Sequence, residues 1–367
     1  MSAILFIIIL LVLVLVHEFG HFITAKKLGM RVDEFGFGFP PRALKLFKKG
    51  ETLYSLNWLP LGGFVKIFGE NPDEKSVDGA DKARSFVNRP KWAQAIVLVA
   101  GVVMNILLAW ILISFGYATG MPTSAGSAPK GAQITNSEIV VLSTATDSPA
   151  EIAGLLPGDK IISLVLAKDG VVKPSTLDEF KSFVGAHPNQ HITFNIERGK
   201  EQKAFDIVPK AGLVDGKEGI GISMDMIGVV KLNPIRAFWE GAKMTGYMLK
   251  STAVGMWNLL SSAVVGKADL ASVSGPIGIA GIVGDAYKFG IGYLLSFAAL
   301  ISVNLAIINL IPFPALDGGR LLFLLIEKIK GSRIKPAISN TVNAVGFFLL
   351  IGLMLVVTYH DILKLIK

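Results

Sequence analysis

Residues 4–16 form an unbroken run of Ile, Leu, Val and Phe, and three ionisable side chains, His17, Glu18 and His21, follow it directly. Apolar character then resumes until Lys26 and Lys27, which gives a segment long enough to cross a bilayer. In hydrocarbon such a segment has to be helical, because a helix satisfies its own backbone hydrogen bonds. No Lys or Arg occurs in residues 1–6 and no small-residue cleavage site follows, so a retained span is expected rather than a removed leader.

Each ionisable group inside a span costs roughly 2.5–3.5 kcal/mol on insertion scales, so a cluster of them calls for a compensating partner. His17 and His21 stand four residues apart and share one helix face, where both imidazoles can bind a single metal ion. Glu18, one step round the helix, is placed to take a proton from water held at that ion. The pattern His-Glu-x-x-His therefore points to zinc and to peptide hydrolysis, here within lipid.

With 51% hydrophobic and 17% charged residues, the chain is too apolar for a soluble domain. The net charge of +8 does not indicate nucleic acid, because the basic residues are dispersed and many flank apolar segments. The absence of Cys leaves His and carboxylates as the available metal ligands. Further spans are expected at about 92–117, 293–311 and 344–358, which makes four. The links between the first two and the last two are rich in Lys and Arg, so both should face the cytoplasm. Both termini and the polar middle should then lie outside.

The apolar stretch 248–265 resembles a fifth span, but Arg236, Glu240, Lys243 and Lys250 form one polar stripe on a helix that also carries Phe238, Trp239, Tyr247 and Met248. An amphipathic helix lying on the outer leaflet fits that pattern better. Between Arg31 and Glu70, short Gly-punctuated alternation predicts strands at 34–39, 53–58 and 62–67, a region that can dip into the interface and offer a strand edge to another chain. Residues 134–209 read as a compact α+β insert. Its stretch Ser148-Pro149-Ala150-Glu151-Ile152-Ala153-Gly154-Leu155-Leu156-Pro157-Gly158-Asp159 resembles bacterial PDZ domains, which bind extended peptides by strand addition. His187 and His191 in this insert are expected to be surface residues.

A catalytic zinc takes three protein ligands and keeps one position open. The third should come from matching depth at the start of the second cytoplasmic link, where Asp317 follows Pro312 and Pro314, two residues that break the helix. A capping role on the next helix is the alternative for Asp317. Asn304 and Asn309 in the third span can bond neighbouring helices or grip the main chain of an unwound peptide.

Taken together, His17-Glu18-x-x-His21, Asn309-x-x-Pro312-x-Pro314-x-Leu316-Asp317-Gly318, the PDZ-like insert and Ser274-Gly275-Pro276-Ile277-Gly278-Ile279 resemble the site-2 protease family of intramembrane zinc metalloproteases, of the bacterial RseP/RasP type. The resemblance implies zinc on His17, His21 and Asp317, with Glu18 as general base. It also implies that the Gly36 and Gly38 region is a membrane-entering hairpin that pairs with substrate, and that Asn309 contacts the substrate backbone. Where such proteins usually have Ala-Gly-Pro before the Asn of the second span, this chain has Ala100-Gly101-Val102-Val103-Met104-Asn105. A single PDZ-like unit also separates it from relatives with two.

The expected architecture is an α-helical polytopic membrane protein with four transmembrane helices, a cytoplasmic membrane-associated β-hairpin region and an inserted PDZ domain. Its parts should be residues 1–117, 118–228, 229–292 and 293–367. The expected activity is cleavage of transmembrane segments left by an upstream site-1 protease, of the anti-sigma factor or remnant signal peptide type, in the bacterial inner membrane among its lipids. Two other classes compete: a non-catalytic PDZ-bearing receptor or scaffold, which has no use for Glu18, and a metal transporter, which needs more polar clusters across the spans than occur here.

Overall fold

The computed structural model describes residues 2–71, 74–166, 170–199, 201–214, 217–266 and 274–366. The chain begins with helix α1 (Ser2–Lys27), strands β1 (Val32–Lys49) and β2 (Thr52–Ile67), the short α2 (Glu74–Asp78) and α3 (Lys91–Thr119). A run of strands follows: β3 (Met121–Ser124), β4 (Ile134–Thr144), β5 (Lys160–Leu166), β6 (Gly170–Val172), β7 (Ile192–Arg198), β8 (Glu201–Ile207), β9 (Lys210–Val214), β10 (Lys217–Gly219) and β11 (Ile222–Val230). Helix α4 (Pro149–Ala153) precedes β5, and α5 (Leu177–Ala186) precedes β7. The C-terminal part is helical: α6 (Pro234–Val264), α7 (Pro276–Phe289), α8 (Ile291–Leu310), α9 (Asp317–Lys330) and α10 (Pro336–Ile366).

Among the described residues, four helices are long and apolar enough to cross a membrane: α1, α3, α8 and most of α10. They occupy the four predicted stretches, with α10 starting earlier than expected at Pro336, a residue pre-set for the first helical position. Helix α6 is not among the four. It is a single long helix, and its Phe238, Trp239, Tyr247 and Trp257 are exposed.

Contacts divide the chain into two compact units, one of Met1–Ile113, Gly241–Gly284 and Leu295–Lys367, the other of Ser114–Glu240 and Asp285–Leu294. In the first unit, α1 and α3 pack closely at a pair of small residues. A Cβ on Gly20 would meet the Ala100 carbonyl oxygen at 2.5 Å, so the crossing depends on the missing side chain. A core of Ala25, Met30, Val32, Phe35, Phe86 and Val97 ties α1 and α3 to the sheet.

That sheet is more folded than a plain hairpin. The first half of β1 lies between two stretches of β2: Phe35 pairs with both Val65 and Tyr54, and Gly36 with both Phe64 and Ser55. The second half of β1 was not expected from the sequence, and it pairs back onto β2 through Arg42–Asn57 and Lys45–Ser55. The buried Glu34 carboxylate holds these layers together by accepting hydrogen bonds from Arg42 and from Ser55 Oγ (2.6 Å). Burial acts to raise the Glu34 pKa, but the bonds from Arg42 and Ser55 outweigh it and hold the carboxyl below its usual range. Phe39, Leu44, Phe47, Leu56, Trp58 and Leu59 remain exposed on this sheet.

In the second unit one sheet runs in the order β3-β11-β4-β5-β7-β8, with β6 added to β5. Strands β3 and β11 lie outside the predicted 134–209 stretch and complete the sheet on one side. The core is Val141, Leu164, Phe180, Phe194 and Ile196. Local chemistry starts the helices where the sequence suggested. Ser148 Oγ accepts from Glu151 N, while the Glu151 carboxylate accepts from Asp147 N, and Gly154 closes α4 in the left-handed conformation. His191 is exposed beside Asp206, and His187 Nδ1 donates to the Phe183 carbonyl (2.8 Å).

Asp159, the last residue of the PDZ-like motif, is 1% exposed and takes two hydrogen bonds from Arg198 (2.6 and 2.7 Å) plus one from Leu156 N. Removing one partner of such a pair leaves a buried charge and typically costs about 3–5 kcal/mol. Arg198→Met should therefore lower the protection of β5 and β7 amides in hydrogen exchange while leaving α1 and α3 unaffected. Unchanged protection would show that the pair does not hold the insert together.

Candidate metal centre and active site

The three predicted ligands converge. His17 Nε2 lies 3.0 Å from Asp317 Oδ2, His21 Nε2 lies 3.3 Å from the same oxygen, and the two Nε2 atoms are 3.0 Å apart. Among the described residues, this is the group of His and carboxylate side chains disposed to hold a metal ion. Both histidines are buried in α1.

Their protonation follows from what surrounds them. His21 Nδ1 is 2.8 Å from the carbonyl oxygen of Val97, which can only accept, so Nδ1 carries the proton and Nε2 of the neutral ring carries a lone pair. That lone pair faces another imidazole nitrogen and a carboxylate oxygen at about hydrogen-bond distance. Two imidazoles and a carboxylate whose ligand atoms meet at one point form a donor set that suits zinc. The residues fit the metal that the motif implies.

Asp317 reaches this place because the chain reverses sharply after α8. Pro312 and Pro314 end the helix, Ala315 takes a left-handed φ of 73°, and its N–H donates to Asn343 Oδ1 (3.3 Å) on α10. Gly318 and Gly319 complete the reversal, since a Cβ at either would meet backbone carbonyl oxygen at 2.2 Å. Asp317 opens α9 with Leu316 as its N-cap, and its carboxylate lies against the two histidines.

Glu18 stands beside this cluster, close enough to interact electrostatically with His21, Asp317 and Glu70. One of its oxygens accepts from the backbone N–H of Val65 at 3.0 Å. The stretch 63–67 is the outer part of the sheet: among the described residues no strand pairs on its far side, and Gly63 packs against Leu15 of α1. The open edge next to Glu18 is therefore 63–67. Gly36 is paired on both sides and the Gly38 carbonyl accepts from Asn57 Nδ2 (3.0 Å).

Of the two asparagines on α8, Asn304 Oδ1 accepts from Thr252 Oγ on α6 (3.3 Å), as helix-bonding glue would. Asn309 is half-buried, and its side chain has no hydrogen-bond partner among the described residues. The sequence reading passed over the contribution of α3. Val97 orients His21, the Asn105 side chain lies 3.3 Å from His17 Nδ1, and Gly101 lies directly beneath both rings. The signal available was the polar Asn105 and the small Gly101 inside an apolar span.

Comparison with known proteins gives the family of the chain. The model of peptidase family M50 matches residues 5–353, so the chain belongs to that family. Zinc metalloprotease RasP of Geobacillus kaustophilus is 30% identical, over 99% of this chain and 98% of its own length. A Clostridium perfringens relative is 36% identical, over 96% of this chain and 95% of its own length. The PDZ domain of the SdrC-like protein from Listeria monocytogenes is 26% identical, over 25% of this chain and 92% of that domain, with a TM-score of 0.21. The chain is an intramembrane zinc metalloprotease embedded by several apolar helices. As an enzyme it is neither the non-catalytic scaffold nor the transporter that competed on sequence.

A Cβ on Gly101 would lie 2.5 Å from His21 Nε2 and 2.7 Å from His17 Cε1. Gly101→Ala should thus push the rings apart and lower both bound zinc and proteolysis by about 10²-fold, whereas Gly352→Ala, with nothing within 4 Å, should change neither. Metal analysis of the two purified variants, run beside a cleavage assay, decides the point. Full zinc occupancy in Gly101→Ala would contradict the close packing described.

Proposed function

We propose that His17, His21 and Asp317 hold the zinc and that Glu18 is the general base. Support for this reading comes from the single point on which the three ligand atoms converge, with the Glu18 carboxylate beside it. When bound, zinc supplies Lewis-acid polarisation of the scissile carbonyl and makes water acidic enough to attack near neutral pH. Glu18 then takes a proton from that water and delivers it to the leaving amine. The Val65 N–H keeps the carboxylate aimed, which matters because proton transfer requires hydrogen-bond reach.

The substrate is a transmembrane segment presented as an extended chain. A helix hides its carbonyls in its own hydrogen bonds, so cleavage requires unwinding, and an open strand edge offers replacement bonds. The stretch 63–67 is that edge and runs past Glu18, while the strand bearing Gly36 and Gly38 supports it from behind. Asn309, at the end of α8 and without a side-chain partner among the described residues, is suited to bond the substrate main chain; Asn304 is engaged with Thr252.

The basic links 28–90 and 311–335 face the cytoplasm, which leaves both termini and the PDZ-like insert outside. Ion pairs of Arg320 with Glu70 in the first link, and of Glu327 with Lys91 at the start of α3, support their lying on one side. The first turns of helix α6, which carry the exposed Ile235, Phe238 and Trp239, lie along the outer leaflet, while Thr252 further along bonds Asn304 of α8. Clients are membrane proteins already shortened by a site-1 protease, of the anti-sigma factor or remnant signal peptide type, and the insert either excludes intact ectodomains or binds a newly made C-terminus.

Purified wild type and Glu18→Gln, each incubated with a model single-span substrate, test the chemistry. Glu18→Gln should retain zinc and lose cleavage by roughly 10²–10⁴-fold, the usual contribution of a positioned acid–base group. Equal cleavage by both would remove Glu18 from the mechanism.

A further inference from the structure

Asn105 is 0% exposed in the interior of α3, and its one side-chain partner is an imidazole: Nδ2 lies 3.3 Å from His17 Nδ1. The other terminal atom, Oδ1, is buried with no hydrogen-bond partner among the described residues. A buried amide with a single partner, set against a residue of the metal cluster, needs an explanation beyond packing.

The imidazole supplies one. His17 Nε2 faces His21 Nε2 and Asp317 Oδ2, each at 3.0 Å, so Nε2 is the nitrogen turned towards the metal. To bind, it must carry a lone pair, and in a neutral ring the proton then sits on Nδ1. A buried N–H at that depth, away from water, requires an acceptor. Half a turn of the Asn105 amide exchanges its two terminal atoms without changing its shape and presents Oδ1 to His17 Nδ1. An amide oxygen accepts this proton without adding a charge to the span, as a carboxylate would.

We propose that Asn105 is the positioning residue for His17, its Oδ1 accepting from Nδ1–H and so fixing the tautomer and ring orientation that leave Nε2 free for zinc. The proposal rests on the reading that His17 is a zinc ligand. Helix α3 then serves both rings from one face. Val97, Gly101 and Asn105 follow at intervals of four residues: Val97 O accepts from His21, Gly101 admits the rings, and Asn105 accepts from His17. The Asn105 main chain is itself anchored, because Ser302 Oγ–H on α8 donates to its carbonyl at 2.8 Å, and both groups are fully buried. That bond ties the supporting helix to the one that leads into the Asp317 turn.

Partners of metal-bound histidines typically contribute about 10–100-fold to metal affinity. The test is the zinc dissociation constant of the detergent-solubilised full chain, read by competition with a chromophoric chelator, for wild type, Asn105→Ala, Asn105→Leu and Asn105→Asp. Visible spectra of the cobalt-substituted forms and melting temperatures without metal accompany it. The alanine and leucine variants should bind zinc about 10–100-fold more weakly and show an altered cobalt spectrum at an unchanged metal-free melting temperature. Asn105→Asp, which keeps an acceptor, should recover most of the affinity. The proposal is overturned if the folded alanine or leucine variant binds zinc as tightly as wild type, or if Asn105→Asp is as weak as Asn105→Leu. Failure of the wild type itself to bind zinc would instead overturn the assignment of His17 as a ligand.

Discussion

Two imidazole nitrogens and one carboxylate oxygen, all electron-rich, are directed at a single point inside an apolar bundle. A divalent cation placed among them would take a lone pair from each, and much of the surrounding architecture follows from bringing those three atoms together. The histidines need only one turn of α1. The aspartate must come from 300 residues away, which requires α8 to end, the chain to reverse through Pro312–Gly319, and α10 to brace the reversal through Asn343 and Gly346. Glycines are placed where backbone approaches backbone or ring, at Gly20, Gly101, Gly318 and Gly319.

The β-sheet beside α1 complements this centre. Its inner strand is paired on both sides and stiffened by the Glu34–Arg42 pair, while its outer stretch holds the Val65 N–H against Glu18. A rigid inner strand and an open outer one are what strand addition requires, since an added chain gains main-chain bonds only at a free edge. The exposed Phe39, Phe47 and Trp58 suit a sheet that touches lipid.

The cluster of His17, His21 and Asp317 was legible in the sequence because each residue is chemically costly where it stands. His17, Glu18 and His21 interrupt a run of aliphatic residues, and Asp317 follows a double-proline break. The four apolar helices were legible for the same reason: a spanning segment needs length and apolar composition more than any fine pattern. The strand order around Gly36 was not. Short Gly-punctuated strands pair through residues far apart along the chain, and a strand at the edge has the same alternation as one in the middle. Strands β3 and β11 escaped notice because they lie outside the PDZ-like motif. Helix α7 was masked by its small residues, Gly278, Gly281 and Gly284, and its start is set by Asp361, which accepts from Gly275 N and Gly278 N across more than 80 positions. The supporting role of α3 was hidden because Val97 acts through its main chain, which carries no residue-specific signal.

Zinc K-edge X-ray absorption on the purified wild type and on Asp317→Asn bears most directly on the claim that three side chains from opposite ends of the chain share one ion. Wild type should hold one zinc per chain with a first coordination shell of two imidazole nitrogens plus oxygen, and Asp317→Asn should lose the metal or change that shell. Zinc bound in equal amount and with an identical shell in both proteins would contradict the account.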